Sequence, residues 1–505
     1  MKGRLGRCYE VWGKLSQGGM GEVWLARHAE LALPVIVKSL PPSEGESFER
    51  RYERMLAEAR LAARLTSPHV VRVIDAGVHD ADGERTPYLV EEYVDGIDLA
   101  ELDRRRRAAL RRPLPLWAVC EQAAQAADGL HAAHQAGVVH RDVKPSNLFG
   151  HGHARIKVGD FGVAICAAGA PSDGLVGGTP LYMAPEQLAG DRVDRRADVY
   201  SLGATAFALR YGEPPYGSAA DALHPDREPK FPPPRSPEEA YFQHVVSKML
   251  ALRPDARQSS LPPVAHQLRG LVRATRPRVD SVRVSEHVVQ LGALRLQFEV
   301  GDLARVETDG VVASTNSHLT MRTGLGDALR RAGGDALEAE ALGHGEQPLG
   351  ACVATGAGRL LARGVLHAVG GWNEVSCVAR ATHRALLLAE ELGYQRLAFP
   401  AIGTGAGQVS IESCAEAMLG ALRIHAQLGG SRLTELRFVL LDERTLRRFC
   451  DVALAGLLGE EVLRFDDELD APGTDHAQPT LFVPPTRATV TPPTTRRPRQ
   501  AARKP

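Results

Sequence analysis

The stretch His140-Arg141-Asp142-Val143-Lys144-Pro145-Ser146-Asn147 decides how the first half of this 505-residue chain is read. It sets an aspartate, a lysine and an asparagine at fixed offsets, and Asp160-Phe161-Gly162 follows after a short strand and turn. Each residue type answers a need of phosphoryl transfer. Asp142 can accept a hydroxyl proton, Lys144 can neutralise charge on a moving phosphoryl group, and Asn147 and Asp160 supply hard oxygen ligands to Mg²⁺. Chance does not readily produce both patterns in this order and spacing.

Working outward, the glycine-rich run Gln17-Gly18-Gly19-Met20-Gly21-Glu22-Val23-Trp24 follows a strand-like segment, Tyr9 to Leu15. Glycines there let backbone amides approach phosphates closely. Pro34 to Lys38 reads as a strand ending in a lysine, and Phe48 to Leu65 has helical periodicity through Leu56, Leu61 and Leu65. Tyr88 to Gly96 reads as a strand running into a connector. Trp117 to Ala136 reads as an Ala-rich helix stopped at Gly137. Arg104 to Arg107, with Arg111 and Arg112, read as a solvated helix face, with an acidic-substrate or phosphate-docking patch as the other possibility.

Together these motifs resemble the eukaryotic-type Ser/Thr protein kinases found in bacteria. The resemblance implies a bilobal α+β kinase fold over residues 8–272, ATP and Mg²⁺ as ligands, and Ser or Thr of proteins as substrates. By the same resemblance Gly18, Gly19, Gly21 and Val23 cover ATP, Lys38 holds its α- and β-phosphates, and Glu58 is the ion-pair partner of Lys38. Backbone groups near Glu92 to Val94 would bond adenine, Asp142 and Lys144 are catalytic, and Asn147 and Asp160 hold the metal. Glu186 would pair with a buried Arg257, Asp198 would brace the catalytic loop, and Thr179 would position the substrate. Ser172 is the candidate phosphorylation site, with Arg141 to receive its phosphate. Three residues depart from the pattern. Ser16 replaces the usual first glycine, Glu91 stands at the back of the adenine pocket, and Ile36 takes the place of a small alanine above it. The last two favour an alternative reading, a nucleotide-binding pseudokinase scaffold.

The chain is too long for one hydrophobic core, so a second domain is expected. After a linker over residues 273–287 the pattern changes to strand–helix alternation, in LRLQFEVGD, DGVVASTN, VLHAVGG, RLAFPAIGTGAG and RFVLLDE. These runs resemble a macro domain, the three-layer α/β/α module that binds ADP-ribose, here over residues 288–460. The resemblance implies that Asp302 bonds the adenine amino group, that Asn316 lies near the distal ribose, and that Gly324, Gly326, Gly403, Thr404, Gly405 and Gly407 grip the diphosphate. Two glycine loops that each feed a helix N-terminus suit that task, because their amides can face an anion. Family members that hydrolyse the ADP-ribosyl link carry an asparagine and an aspartate where this chain has Ala313 and Gly326, with Asp327 displaced by one position. Val409 stands where an aromatic often packs on the ligand. The expectation is therefore a domain that reads ADP-ribose, free or on proteins, without efficiently removing it; the pseudokinase reading would make this half the working reader or a weak ADP-ribosyl hydrolase.

Residues 461–505 are Pro-, Thr- and Arg-rich and are expected to be a disordered tail. Lys+Arg and Asp+Glu balance at 61 each, which gives no reason to expect nucleic acid or a membrane as partner. The seven cysteines form no CxxC pair, arguing for a reducing compartment and against structural zinc. With no apolar signal core and no apolar run of roughly 18 residues, the expected location is the cytoplasm.

Overall fold

The computed structural model describes residues 3–6, 8–18, 21–39, 47–81, 84–151, 155–161, 180–224, 227–372 and 375–458. Gly19, Gly162, Ser172, Thr179 and the tail lie outside them, as does the side chain of Glu58.

The small lobe is a six-stranded antiparallel sheet in the order β1 (Gly3–Leu5), β2 (Tyr9–Gly18), β3 (Gly21–His28), β4 (Pro34–Ser39), β6 (Glu84–Glu92), β5 (Val73–Ala81). Strand alternation sorts its residues. Val35, Val37, Tyr88 and Val90 enter one apolar cluster with Leu5, Tyr9, Trp24 and Ala26. Lys38 and Glu91 therefore share the opposite face. Helix α1 (Phe48–Ala62) starts at Ser47, whose side chain accepts from the Arg50 amide.

The large lobe is helical. Its central helices are α2 (Leu99–Leu110), α3 (Leu116–Gln135), α4 (Arg196–Tyr211), α5 (Pro237–Met249) and α6 (Leu261–Thr275). Every residue of α4 from Ala197 to Leu209 is buried, including the polar Asp198, Ser201 and Thr205. In α3 the alanines allow close packing, and at Gly129 a Cβ would stand only 2.4 Å from the His69 carbonyl oxygen, so only glycine fits. The short hairpin β7 (Leu148–His151) and β8 (Arg155–Val158) carries the chain from HRDVKPSN to Asp160.

The second half is an eight-stranded mixed sheet between two helical layers. The strand order is β13 (Cys352–Gly356), β14 (Gly364–Ala368), β12 (Gly310–Ser314), β17 (Arg396–Phe399), β18 (Glu435–Leu440), β11 (Leu294–Val300), β10 (Val288–Leu291), β9 (Ser281–Ser285). The five strands from β14 to β11 are parallel. Period-two alternation fills both layers. Val311 and Ala313 pack with Leu329 of α7 (Gly324–Gly333) and Leu337 of α8 (Asp335–Gly343). Val312, Leu436 and Phe438 pack with α9 (Val378–Glu391), α10 (Ile411–Leu428) and α11 (Glu443–Leu458). This is the expected three-layer α/β/α arrangement.

Two sequence readings change. Within the stretch read as a linker, α6 runs to Thr275 and β9 pairs with β10, so the irregular connection shrinks to residues 276–280. The arginine cluster of α2 is a solvated face only in part: Arg104, Arg111 and Arg112 are exposed, whereas Arg105, Arg106 and Arg107 are engaged. Arg106 is buried and donates to the carbonyls of Leu428 (3.0 Å) and Gly429 (2.7 Å) in the second domain. Arg107 pairs with Asp103 and donates to Leu209 O, while Arg105 pairs with Glu101 and Glu391. From the other side Arg384 grips both oxygens of Glu101 at 2.8 Å, and Arg432 donates to Ala109 O at 2.7 Å. Leu387 and Leu428 complete the large-lobe core, and both domains belong to one compact unit, Met1–Val462.

Candidate active site and candidate ligand site

Asp198 lies wholly buried within α4, where an unsatisfied carboxylate would be costly. Three donors settle it: the amides of His140 and Arg141, each at 2.8 Å, with His134 Nε2 at 2.7 Å. That clamp holds Arg141 at φ +66°, a conformation rarely adopted by non-glycine residues, and so aims the following residue, Asp142. Lys144 Nζ donates to Asp142 Oδ2 at 2.7 Å, and Asn147 Nδ2 donates to the same oxygen at 3.0 Å and to Asp142 O at 2.8 Å. Asp142, Lys144 and Asn147 thus form one cluster. Gln187 Nε2 donates to the Arg141 carbonyl, and the neighbouring Glu186 is held by both terminal nitrogens of Arg257. Among the described residues Arg141 Nε has no partner.

Asp160 is the second strained residue, at φ +60°. Its carboxylate pairs with Lys38, and Glu91 Oε2 lies 2.6 Å from the same ammonium. The sequence reading expected Glu58 as the partner of Lys38; Glu58 lies on α1, and the partners among the described residues are Asp160 and Glu91. The register explains Glu91. Lys38 pairs with Leu89 and Ile36 with Glu91 across β4 and β6, which makes Lys38 and Glu91 diagonal neighbours on one face. Burial alone would pull the Lys38 ammonium down, but Asp160 and Glu91 together hold it above its ordinary value. Lys38 chiefly holds the Asp160 carboxyl low. Burial keeps the Glu91 carboxyl high despite Lys38.

A prediction follows from this triad. Lys38→Met should destabilise the folded protein by about 3 kcal/mol, near the lower end for breaking a buried pair, since Asp160 keeps some access to water. A carboxyl whose folded pKa is raised gives stability at low pH that is lost as pH rises through that pKa. The melting temperature of Lys38→Met should therefore fall more steeply with rising pH than that of wild type. Adding Glu91→Gln should recover much of the loss, and a Lys38→Met melting curve matching wild type at all pH would refute the pairing.

The hinge is only partly as expected. The Glu92 amide donates to Arg72 O at 2.8 Å and its carboxylate pairs with Lys157 at 3.0 Å, so the Glu92 side chain braces the hinge instead of facing a nucleotide. Val94 N–H has no partner among the described residues, while its carbonyl accepts from Arg380 of the second domain at 3.4 Å. Gly18 ends β2, Gly21 opens β3 at φ +118°, and Val23 follows on it.

In the second domain the two glycine loops follow the carboxyl ends of adjacent parallel strands, β12 and β17, where open α/β sheets bind ligands. The Gly403 amide donates to Ser314 Oγ at 3.0 Å, tying one loop to the end of β12. Gly324 and Gly403 have φ +53° and +80°. At Gly407 a Cβ would come 2.5 Å from Gly403 O, so this glycine serves the turn itself, while at Gly326, within α7, a Cβ would fit tightly at 3.1 Å from Met321 Cα. Gly405 faces open space. Helix α7 begins without a side-chain cap, leaving its first amides available. The second loop does not feed a helix directly: α10 starts later and is capped by its own Ser410. Thr404 Oγ1 donates to Ala401 O at 2.9 Å, a turn-fixing contact.

The polar side chains expected at this site are engaged locally. Asp302 accepts from the Ala304 amide, and Asn316 exchanges two hydrogen bonds with Thr320. Asp327 is clamped by Arg330 (2.8 Å) and Arg331 (2.6 Å), with the Arg330 hydrogen bond holding its carboxyl low. Ala313 is buried in the sheet. No group of three or more His, Cys, Asp or Glu that could hold a metal occurs among the described residues, and no described helix is long and apolar enough to cross a membrane.

Comparison with known proteins finds a family model for each of the two domains. The protein kinase domain family model fits residues 9–268, and the Macro domain model fits residues 312–418. Serine/threonine-protein kinase PknB of Mycobacterium leprae is 38% identical over 259 residues, covering 49% of this chain and 40% of its own. PknB of Mycobacterium tuberculosis is 34% identical over 312 residues (60% of this chain, 48% of its own), and Pkn1 of Myxococcus xanthus is 37% identical over 304 (57% and 41%). The chain thus spans less than half the length of each of these relatives.

Proposed function

The chain belongs to the protein kinase family, and on that premise we propose that it transfers the γ-phosphate of ATP to Ser or Thr hydroxyls of proteins. The observation that carries this reading is the convergence of Lys144 and Asn147 on one oxygen of Asp142. That arrangement leaves Asp142 Oδ1 to orient an incoming hydroxyl and take its proton. Lys144 is placed beside the same carboxylate, where it can offset charge on the transferred group. Lys38 reaches from the small lobe towards the phosphates, and the Val94 amide is available for adenine. Asn147 Oδ1 and the Asp160 carboxylate are hard oxygen donors of the kind Mg²⁺ prefers. An ion held by Asn147 and Asp160 would supply positive charge to offset that of the phosphates. Arg141, with Nε unpartnered, suits a phosphate on Ser172. A radiolabelled ATP assay on the purified chain tests the reading. Mg²⁺-dependent label on Ser or Thr is expected, and no label on the chain or on a general protein substrate would overturn it.

The Glu91–Lys38 pair, together with the bulky Ile36, favours a nucleotide-binding scaffold, because the pair occupies the phosphate-gripping lysine. An ATP titration with Mg²⁺ separates the two readings: ATP binding without label would support the scaffold.

For the second domain, taken as residues 288–460 after a kinase domain of 8–272, the reading is recognition of ADP-ribose, free or on proteins, without its removal. Backbone amides of α7 and of the Gly403–Gly407 loop suit a diphosphate. Ala313 offers no polar atom for the ribose, and Asp327, held by two arginines, is a poor base. Calorimetry on the whole chain should show ADP-ribose binding, while a mono-ADP-ribosylated protein incubated with it stays modified. Rapid loss of the modification would make this domain a hydrolase. Six free thiols among the described residues suit a reducing compartment, and the cytoplasm is the location proposed.

A further inference from the structure

Helix α9 of the second domain begins directly on the kinase hinge. Its N-cap residue, Cys377, supplies no side-chain cap, and Ser376 Oγ accepts from the Val378 amide alone, at 3.4 Å. The cap comes from the other domain: the amides of Ala379 and Arg380 donate to the two oxygens of Asp95, each at 3.0 Å. A carboxylate at that place satisfies orphan donors and complements the helix N-terminus. The Arg380 side chain then donates to Gly96 O at 2.6 Å and Val94 O at 3.4 Å, with its guanidinium 5.3 Å from the centre of the Tyr93 ring. Tyr93 OH in turn donates to Cys377 Sγ at 3.1 Å. Tyr93 and Cys377 are buried, so these are interior contacts rather than surface ones.

The same few residues of α9 also support the second glycine loop. The Cys377 amide donates to Gly370 O at 2.8 Å. Gly370 is packed so tightly on Ile402 that a Cβ would overlap that side chain, and a Cβ on Gly403 would rest 3.4 Å from Val378 Cγ2. Ile402 and Gly403 begin the loop assigned to the diphosphate. Residues 377–380 are therefore packed against that loop on one side and hydrogen-bonded to residues 93–96 on the other.

We propose that the N-terminal turn of α9 couples the two ligand sites, with Arg380 acting as a positioning residue for the hinge, so that ADP-ribose in the second domain tightens nucleotide binding in the first. The coupling rests on the reading of both sites given above. Its sign follows from shared ordering: each ligand fixes backbone that the other also needs fixed, which favours the doubly bound state. Reciprocity then requires ATP to tighten ADP-ribose binding by the same factor.

The test is calorimetric and uses the whole chain. ADP-ribose is titrated into the protein alone and into protein saturated with Mg²⁺ and a non-hydrolysable ATP analogue, and the analogue is titrated with and without ADP-ribose. Affinity about fivefold or more tighter in both directions is expected, at the lower end of ordinary allosteric coupling. In Arg380→Ala the factor should fall towards one. In Arg384→Ala, which loosens the domain contact away from the hinge, it should persist, so the proposal can be judged even if Arg380→Ala fails to fold. Equal or weakened affinities in the wild-type chain overturn the coupling alone. Absence of any ADP-ribose binding overturns the ligand reading and the coupling with it.

Discussion

Asp142→Asn should cut phosphate incorporation roughly a thousandfold, the scale of losing a positioned general base, while leaving the fold intact. Both side-chain donors to Asp142, Lys144 Nζ and Asn147 Nδ2, meet the same oxygen, Oδ2. An asparagine can keep both by presenting its amide oxygen there. Its NH₂ then occupies the position of Oδ1, where it can donate a hydrogen bond but take no proton. The clamp on Asp198 involves the backbone of His140 and Arg141 and is untouched. The variant should therefore melt like wild type and fail in the radiolabel assay. Equal incorporation by both proteins would show that Asp142 is not the base, and a lowered melting temperature would attribute lost activity to the fold.

The residues that meet in the catalytic loop were legible because phosphoryl transfer restricts which side chains can do each task and the loop fixes their spacing. Asp142, Lys144 and Asn147 come together over a few residues of chain. Glu186 with Arg257 and the bracing role of Asp198 were legible only through the resemblance to the kinase family, and their burial explains why each needs its partners. The strand–helix alternation was legible from the apolar runs and the three-layer arrangement from the family resemblance; β12 and β18 realise it by sending alternate residues into opposite layers.

What escaped the sequence depends on neighbours brought in from far along the chain. Glu91 was visible as an odd carboxylate, but its contact with Lys38 follows from the β4–β6 register, which puts Ile36 opposite it. The arginines of α2 look solvated in isolation, since nothing local shows that the carbonyls of Leu428 and Gly429 end a helix beside them. Asp95 gave no signal, because the helix it caps lies nearly three hundred residues away. In the second domain the difficulty was the reverse. Asn316 and Asp327 match, or nearly match, functional positions, yet close neighbours, Thr320 for one and Arg330 and Arg331 for the other, already engage them.

That contrast makes Gly405 the sharpest probe of the second site. Of the loop glycines, Gly403 needs its positive φ, and Gly407 admits no Cβ because the Gly403 carbonyl oxygen would lie 2.5 Å from it. Gly405 has neither constraint: its φ lies outside the positive range, and a Cβ would meet nothing within 4 Å. A side chain there would project into the space beside the loop amides, where a diphosphate must approach closely. Gly405→Trp should leave stability within about 0.5 kcal/mol, as for surface substitutions without a packing conflict. It should also remove ADP-ribose binding from calorimetric detection. Gly407→Ala should behave oppositely, lowering the melting temperature because the loop must open to admit the methyl group. If Gly405→Trp still binds ADP-ribose with wild-type affinity, the diphosphate does not sit on this loop, and the packing of Gly403 against Val378 could no longer carry a signal to the hinge.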